Sequence, residues 1–179
     1  MNPTDRLHIV TGGLGAGKST LIAALAAAGI ATSAEVGRAI IREQVAAGGT
    51  ALPWADERAF ADLMLPREIA AHEAALAGGE TTVLDRGLPD VIGFLRVSWL
   101  TVPAAFDAAA RAVRYNARVF LAPFWDAIFT HDAERKQSPE VARATEGVMR
   151  APYSDHGYTL VDLPLVSVEE RVAFVRARL

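Results

Sequence analysis

The chain reads as an α/β protein whose parallel sheet is covered by helices on both faces, and three observations predict this. Short apolar runs rich in Val, Ile, Thr or aromatics recur along the chain. Each run is bounded by Gly, Pro or Asp, and segments of helical length lie between consecutive runs. Strands that alternate with helices pair in parallel through crossovers, which places helices on both sheet faces. With 179 residues, 51% hydrophobic and 22% charged, the chain suits one soluble domain, residues 1–179, with a sizeable core.

The first strand is LHIV, residues 7–10, followed by the glycine-rich stretch TGGLGAGKST and a helix over 18–28. A short strand IATS (30–33) precedes helices over 38–47 and 56–77. Strand TTVLD (81–85) leads into helices over 89–99 and 103–116, and ARVFL (117–121) is the fourth strand. Ser138 and Pro139 suit the cap and first turn of a helix over 138–154, and YTLVD (158–162) is the fifth strand. Ser167 and Glu170 form the S-x-x-E capping pattern of a last helix. Val168, Val172, Val175 and Leu179 follow at helical spacing and give one apolar stripe, which predicts packing on the sheet. Ligands of such folds bind beyond the carboxyl ends of the strands.

Composition removes several function classes. The formal charge of -3 argues against a general nucleic-acid binder, which normally carries a basic stripe. No basic arm precedes an apolar core at the amino end. The longest apolar stretch, 21–31, falls short of the roughly 20 residues that span a bilayer, so a cytoplasmic protein with no membrane partner is expected. The chain has no cysteine, and His8, His72, His131 and His156 show no ligand-pair spacing, so no zinc is expected. Sixteen of the 18 basic residues are arginine; the two lysines are Lys18 and Lys136.

Lys18 stands in the most specific motif. Gly12, Gly17, Lys18 and Ser19 fit G-x-x-x-x-G-K-[ST] between a predicted strand and a predicted helix, the setting of a phosphate-binding P-loop. Glycines let successive backbone N–H groups converge on an anion where side chains would obstruct it, and the helix start adds unpaired N–H groups and the positive end of its dipole. Gly12, Gly13, Leu14, Gly15, Ala16, Gly17, Lys18, Ser19 and Thr20 are therefore the expected nucleotide-binding stretch. Lys18 would meet the β and γ phosphates, and the Ser19 hydroxyl would hold magnesium.

Asp85 ends the third strand, where a Walker B aspartate would fix magnesium directly or through water. Many hydrolytic P-loop ATPases place a glutamate next; this chain has Arg86, a donor suited to a phosphate or another anionic group. That favours transfer over hydrolysis. No N-K-x-D occurs, so the guanine pocket of Ras-like GTPases has no counterpart.

TGGLGAGKST, SAEVGRAIIREQ, VLDRGLPD, THDAERKQS and GYTLVDLPLVSVEERVAFV, taken in order, resemble the AAA-like ATPase domain family that is similar to the ribosylnicotinamide kinase domain of the bifunctional bacterial NAD regulator. The resemblance covers almost the whole chain but includes neither a helix-turn-helix nor an adenylyltransferase region. It implies a three-layer P-loop NTPase fold like that of nucleoside and nucleotide kinases, with strand order 2-3-1-4-5 and a lid between the fourth strand and the next helix. In such kinases an acidic residue just after the second strand, or the aspartate beside the D-R pair, contacts the acceptor. Glu35 occupies the first position, as acceptor ligand or general base, or else as a simple helix-start charge. Arg38, one turn on, would reach the same ligand. Arg135 and Lys136 fall in the lid-like FTHDAERKQSPE, either closing on the phosphates or forming a solvated basic turn.

The reading is a magnesium-dependent kinase that uses ATP as donor and a small, nucleoside-like molecule as acceptor. Lys18, Asp85, Arg86, Arg135 and Glu35 are the catalytic candidates, Glu35, Arg38, Arg86 and Lys136 the acceptor-binding ones, and Ser19 and Asp85 the metal ligands. A regulatory ATPase switch with a protein partner and a non-catalytic nucleotide-binding module are the alternatives. Trp54 would stack on a flat ring or anchor its loop to the core. Trp99 and Trp125 are expected to pack, with Trp125 also near the acceptor cleft.

Overall fold

The computed structural model describes residues 2–128 and 139–179. In chain order its elements are β1 (Leu7–Gly12), α1 (Lys18–Ala27), β2 (Ala31–Thr32), α2 (Val36–Ala47), α3 (Glu57–Gly78), β3 (Thr82–Asp85), α4 (Leu88–Val97), α5 (Ala104–Ala112), β4 (Arg118–Ala122), α6 (Pro139–Asp155), β5 (Thr159–Asp162) and α7 (Val168–Arg176). All predicted strands and helices are present, with ends shifted by a few residues. The strands form one parallel sheet in the order β2-β3-β1-β4-β5, the order implied by the family resemblance.

Side-chain alternation along β1 divides the core. Leu7 and Ile9 join Leu84 and Val119 on one face, against Tyr115, Tyr153 and Tyr158. Val10 joins Val83 and Phe120 on the other, under Leu21 and Leu25 of α1 and Val175 of α7. A further cluster, including Ile40, Phe60, Met64, Ile92 and Phe106, packs α2, α3, α4 and α5 together. The sheet is thus sandwiched between helical layers, as its apolar strands require.

Four local expectations are corrected. The helix expected to reach residue 116 ends at Ala112, because Tyr115 turns into the core and the Asn116 N–H donates to the Leu7 carbonyl at 2.8 Å. Trp99, expected to pack, is 95% exposed with φ 57°. The Trp99 N–H donates to Arg96 O at 3.1 Å and the Leu100 N–H to Leu95 O at 2.8 Å. This paired closure of α4 demands a left-handed residue after the cap, a place glycine normally fills, and here it turns the indole outward. In α7 the Ser167–Glu170 capping box forms as expected. The stripe behind it holds only in part: Val175 is buried and Val172 partly buried in the cluster that α7 and α1 form with the sheet, whereas Leu179 lies past the helix end and is exposed, and Arg171 is buried beside them. Trp54 is exposed, so it does not anchor its loop to the core.

Candidate active site

The β1–α1 connection carries the phosphate-loop motif at the carboxyl edge of the sheet. Gly12 sits at φ 135°, and a Cβ there would lie 2.3 Å from the Ala122 carbonyl oxygen of β4, so only glycine lets the two strands close at this point. Gly17, at φ 80°, immediately precedes α1. Lys18 opens that helix and is buried, its Nζ donating to Gly12 O at 2.9 Å and Gly13 O at 2.6 Å. Burial, with repulsion from Arg86, pulls its ammonium down to about 7 against the attraction of Asp85, Glu35 and Asp90. Leu14 projects from the loop, and Ser19 and Thr20 are exposed in the first turn of α1.

A residue far away in sequence supports this loop. Arg171 of α7 is 3% exposed; its Nη1 donates to Ala16 O at 3.0 Å and its Nε to Pro164 O at 2.8 Å. Its guanidinium lies 4.9 Å from the centre of the Trp125 ring, a cation–π contact. Trp125 thus packs on the loop's support, and Arg171 is a residue the sequence reading missed.

Beside the loop, the register Val10↔Asp85 brings the end of β3 against β1. Asp85 is buried; its N–H donates to Ser33 Oγ at 3.2 Å, and its carboxylate Oδ1 has no hydrogen-bond partner. Burial and the nearby Glu35 push its carboxyl up, with Arg86 and Lys18 opposing. Arg86 follows at φ 75°, and its N–H donates to Val10 O at 3.0 Å. Such a conformation costs a non-glycine residue about 1 kcal/mol or more and occurs preferentially at functional sites. The cost is offset by what the side chain then reaches: Nε bonds Glu35 Oε1 at 3.2 Å and Nη1 bonds Asp90 Oδ1 at 3.1 Å.

Glu35 lies just before α2, where its other oxygen faces Arg38 Nε at 3.4 Å. Burial raises its carboxyl, but Arg86, Lys18 and Arg38 outweigh this and hold it below the usual glutamate range. Asp90, in the first turn of α4, also accepts from Thr11 Oγ1, the Gly87 N–H at 3.0 Å and the Tyr153 hydroxyl. It ties β1, the β3–α4 turn and α6 into one frame. Glu68 of α3 is 4% exposed, and burial, reinforced by Asp90, pushes its carboxyl up to about 8.

Lys18, Asp85, Arg86 and Glu35 therefore come together, with Arg38 attached through Glu35; Arg135 and Lys136 lie outside the described residues. Arg86 is paired with carboxylates rather than presented as an open phosphate donor. Asp90, Thr11, Ser33, Tyr153 and Glu68 were missed by the sequence reading, and of these Glu68 left the clearest signal. Phe60, Met64, Glu68 and His72 follow at four-residue steps, so a charge sits on the apolar face of a helix.

Among the described residues, no group of three or more His, Cys, Asp or Glu is arranged to hold a metal ion. A magnesium ion shared with phosphates needs only one or two protein oxygens. The unpartnered Oδ1 of Asp85 and the exposed Ser19 hydroxyl are chemically fit for that role.

Residues 7–171 match a family model described as an AAA domain. No curated protein matches the chain. Among solved structures, a deoxyadenosine kinase from M. mycoides with products dCMP and dCDP bound superposes with a TM-score of 0.64 at 14% identity, covering 96% of this chain and 97% of that one. A NadR protein in complex with NR gives 0.71 at 14% identity, with 97% of this chain spanning 51% of that one. A thymidylate kinase from Ehrlichia chaffeensis gives 0.61 at 12% identity over 98% of each chain. These likenesses show a P-loop fold of the kinase type. Among the described residues, no helix is long and apolar enough to cross a membrane.

Proposed function

This chain belongs to the AAA domain family, and on that premise we propose that it is a magnesium-dependent phosphotransferase moving the γ phosphate of ATP to a small, nucleoside-like acceptor. The observation that carries the reading is the buried Lys18 of the phosphate loop within electrostatic influence of Asp85, whose Oδ1 is unpartnered, and of the partly open Glu35. The names of the deoxyadenosine kinase and the thymidylate kinase that share this fold support the same reading.

In this reading the backbone N–H groups of Gly13 to Ser19 cradle the phosphates, and Lys18 exchanges its carbonyl partners for the β and γ oxygens. Ser19 and Asp85 would hold magnesium, which when bound neutralises phosphate charge. Glu35 orients the acceptor hydroxyl; its side chain is 18% exposed whereas that of Asp90 is 5%, so of these two it is the one a substrate reaches more readily. The acceptor oxygen bonds to the γ phosphorus as the bond to the bridging oxygen breaks. ADP leaves with that electron pair, and the acceptor proton passes to Glu35. Arg86 keeps Glu35 and Asp90 in place, and Arg135 and Lys136 are the expected lid cations. A cytoplasmic location goes with this reading.

Incubation with γ-labelled ATP, magnesium and a pool of nucleosides, sugars and cell metabolites tests it. Label in a small organic product is expected. Release as inorganic phosphate, stimulated by a protein, would favour the regulatory ATPase instead. Lys18→Ala should lower transfer about a hundredfold or more with the far-UV spectrum intact, and wild-type turnover by that variant refutes the assignment.

A further inference from the structure

α6 approaches α4 closely because α4 offers it a glycine. A Cβ at Gly93 would lie 2.6 Å from the Met149 sulfur, so a side chain there would push the helices apart. One turn before Gly93 stands Asp90, and one turn after Met149 stands Tyr153, which is 0% exposed and whose hydroxyl donates to Asp90 Oδ2. The Gly87 N–H shares that oxygen at 3.0 Å, while Oδ1 accepts from Thr11 Oγ1 and, at 3.1 Å, from Arg86 Nη1. A carboxylate has room for about four donors, so Asp90 is saturated and its plane is fixed. Tyr153 sits in the cluster of Leu7, Ile9, Leu84 and Tyr158, where phenylalanine would pack as well without a polar group to bury. Its hydroxyl therefore answers a need other than packing.

The consequence falls on Glu35. Its side chain makes no cap bond to the N–H groups of α2, and its direction comes from Arg86 Nε at 3.2 Å and Arg38 Nε at 3.4 Å. The Arg38 side chain is 57% exposed, so water competes for it and the pair is weak. Arg86 is the firmer hold. Its guanidinium is a rigid planar fork, and with Nη1 anchored on Asp90 the Nε is aimed at Glu35. Tyr153, Asp90, Arg86 and Glu35 thus form an unbroken line of hydrogen bonds from α6 to the acceptor acid. The same helix also grips the other side of the site: Glu146 Oε2 accepts from the Phe124 N–H and Arg143 Nη2 donates to Asp126 Oδ2 at 2.6 Å. That segment carries Ile128, whose Cδ1 would lie 3.1 Å from a Cβ at Gly17 of the phosphate loop.

We propose that Tyr153 is a positioning residue: by saturating Asp90 it fixes Arg86, and through Arg86 it sets the direction in which Glu35 meets the acceptor hydroxyl. The part played by Glu35 rests on the kinase reading above; the line of contacts that holds it does not. Without the Tyr153 hydroxyl, Asp90 Oδ2 keeps only the Gly87 N–H, and the Arg86 fork turns to serve both Asp90 oxygens, withdrawing from Glu35. Burial raises the Glu35 carboxyl, and of the cations that lower it Arg86 acts most strongly, ahead of Lys18 of α1 and Arg38 of α2. Asp85 of β3 and Glu68 of α3 are the acids that feel it. Withdrawal of Arg86 therefore moves its titration upward.

The test reads Glu35 directly in the full chain, by carbon NMR of protein carrying labelled glutamate, with the signal assigned through Glu35→Gln. Tyr153→Phe should move the Glu35 titration midpoint up by about half a pH unit or more, while affinity for magnesium and ATP by calorimetry holds. Thr11→Val, which removes a donor from the other Asp90 oxygen, should move it the same way, and decides the matter if Tyr153→Phe does not fold. Met149→Ala loosens the contact between α4 and α6 but spares the hydroxyl; it should lower the Tm and leave the Glu35 midpoint in place. With labelled ATP and the pool of acceptors, Tyr153→Phe should lower kcat about tenfold at an unchanged KM for ATP. An unmoved midpoint in Tyr153→Phe, or an equal move in Met149→Ala, means that Tyr153 only packs and overturns the inference. An unchanged kcat in Tyr153→Phe overturns it too. If the midpoint moves as expected but even the wild type labels no acceptor, the line of contacts stands and the kinase reading alone fails.

Discussion

Replacing Glu68 by glutamine should reshape the pH dependence of folding stability. The carboxyl titrates near 4.5 in the unfolded chain and is pushed up to about 8 in the folded one, first by burial, then by Asp90, with Asp85 and Glu35 adding and Arg86 opposing. Because the folded pKa is the higher, the folded state retains a proton between these values that the unfolded state has released. The associated stability is fully present below 4.5 and is lost as pH rises toward about 8. Each pH unit in that window costs about 1.4 kcal/mol, so the full loss is roughly 5 kcal/mol, a large part of the 5–15 kcal/mol typical of a domain. Glutamine stays neutral throughout and has the shape of the protonated acid. Glu68→Gln should therefore match the wild type near about pH 5 and gain on it steadily, reaching several kcal/mol by about pH 9. Urea unfolding of both proteins at steps across that range, followed by far-UV circular dichroism, measures the difference directly. A difference that stays flat, or that narrows as pH rises, refutes the placement of Glu68 as a buried neutral acid.

Two further perturbations probe the phosphate loop. Gly12→Ala would set a methyl 2.3 Å from the Ala122 carbonyl of the neighbouring strand; since both partners are backbone, a loss of about 3 kcal/mol or more is expected in thermal or urea unfolding, together with loss of ATP binding. Arg171→Met leaves the carbonyls of Ala16 and Pro164 without their charged donor. It should cost about 2 to 4 kcal/mol and weaken ATP binding about tenfold by calorimetry, whereas an unchanged nucleotide affinity would show that α7 merely covers the sheet.

What could be read from the chain beforehand was whatever is decided over short distances. The phosphate loop was legible because its glycines, lysine and serine are consecutive and their conformational demands are local. The start of α7 and the placement of Asp85 were legible for the same reason. Asp90 was not: its partners Thr11 and Tyr153 lie 79 and 63 residues away, and nothing in VLDRGLPD marks its last aspartate as the junction of three elements. Arg86 looked like an open anion donor, since sequence gives no sign that a left-handed turn aims it at Glu35 and Asp90. Trp99 misled for want of a glycine, the usual mark of the closure found at the end of α4. Strand order came from family resemblance alone, because periodicity distinguishes strands from helices and not one parallel order from another.

The loop and the acidic cluster make most sense as halves of one ligand site. Lys18 is buried, and its hydrogen-bond partners are two neutral carbonyls; an ammonium so placed gains from any anion that displaces them. Asp85, across the β1–β3 pairing, is buried with an oxygen that no donor satisfies, and gains from a cation. Lys18 and Asp85 lie close enough to influence each other's protonation, yet neither satisfies the other's hydrogen-bonding needs. A simple anion would satisfy the lysine and increase the repulsion at Asp85; a lone cation would do the reverse. A phosphate chain carrying its own divalent metal presents both charges at once, which is why a metal nucleotide fits this pair of residues better than either ion alone.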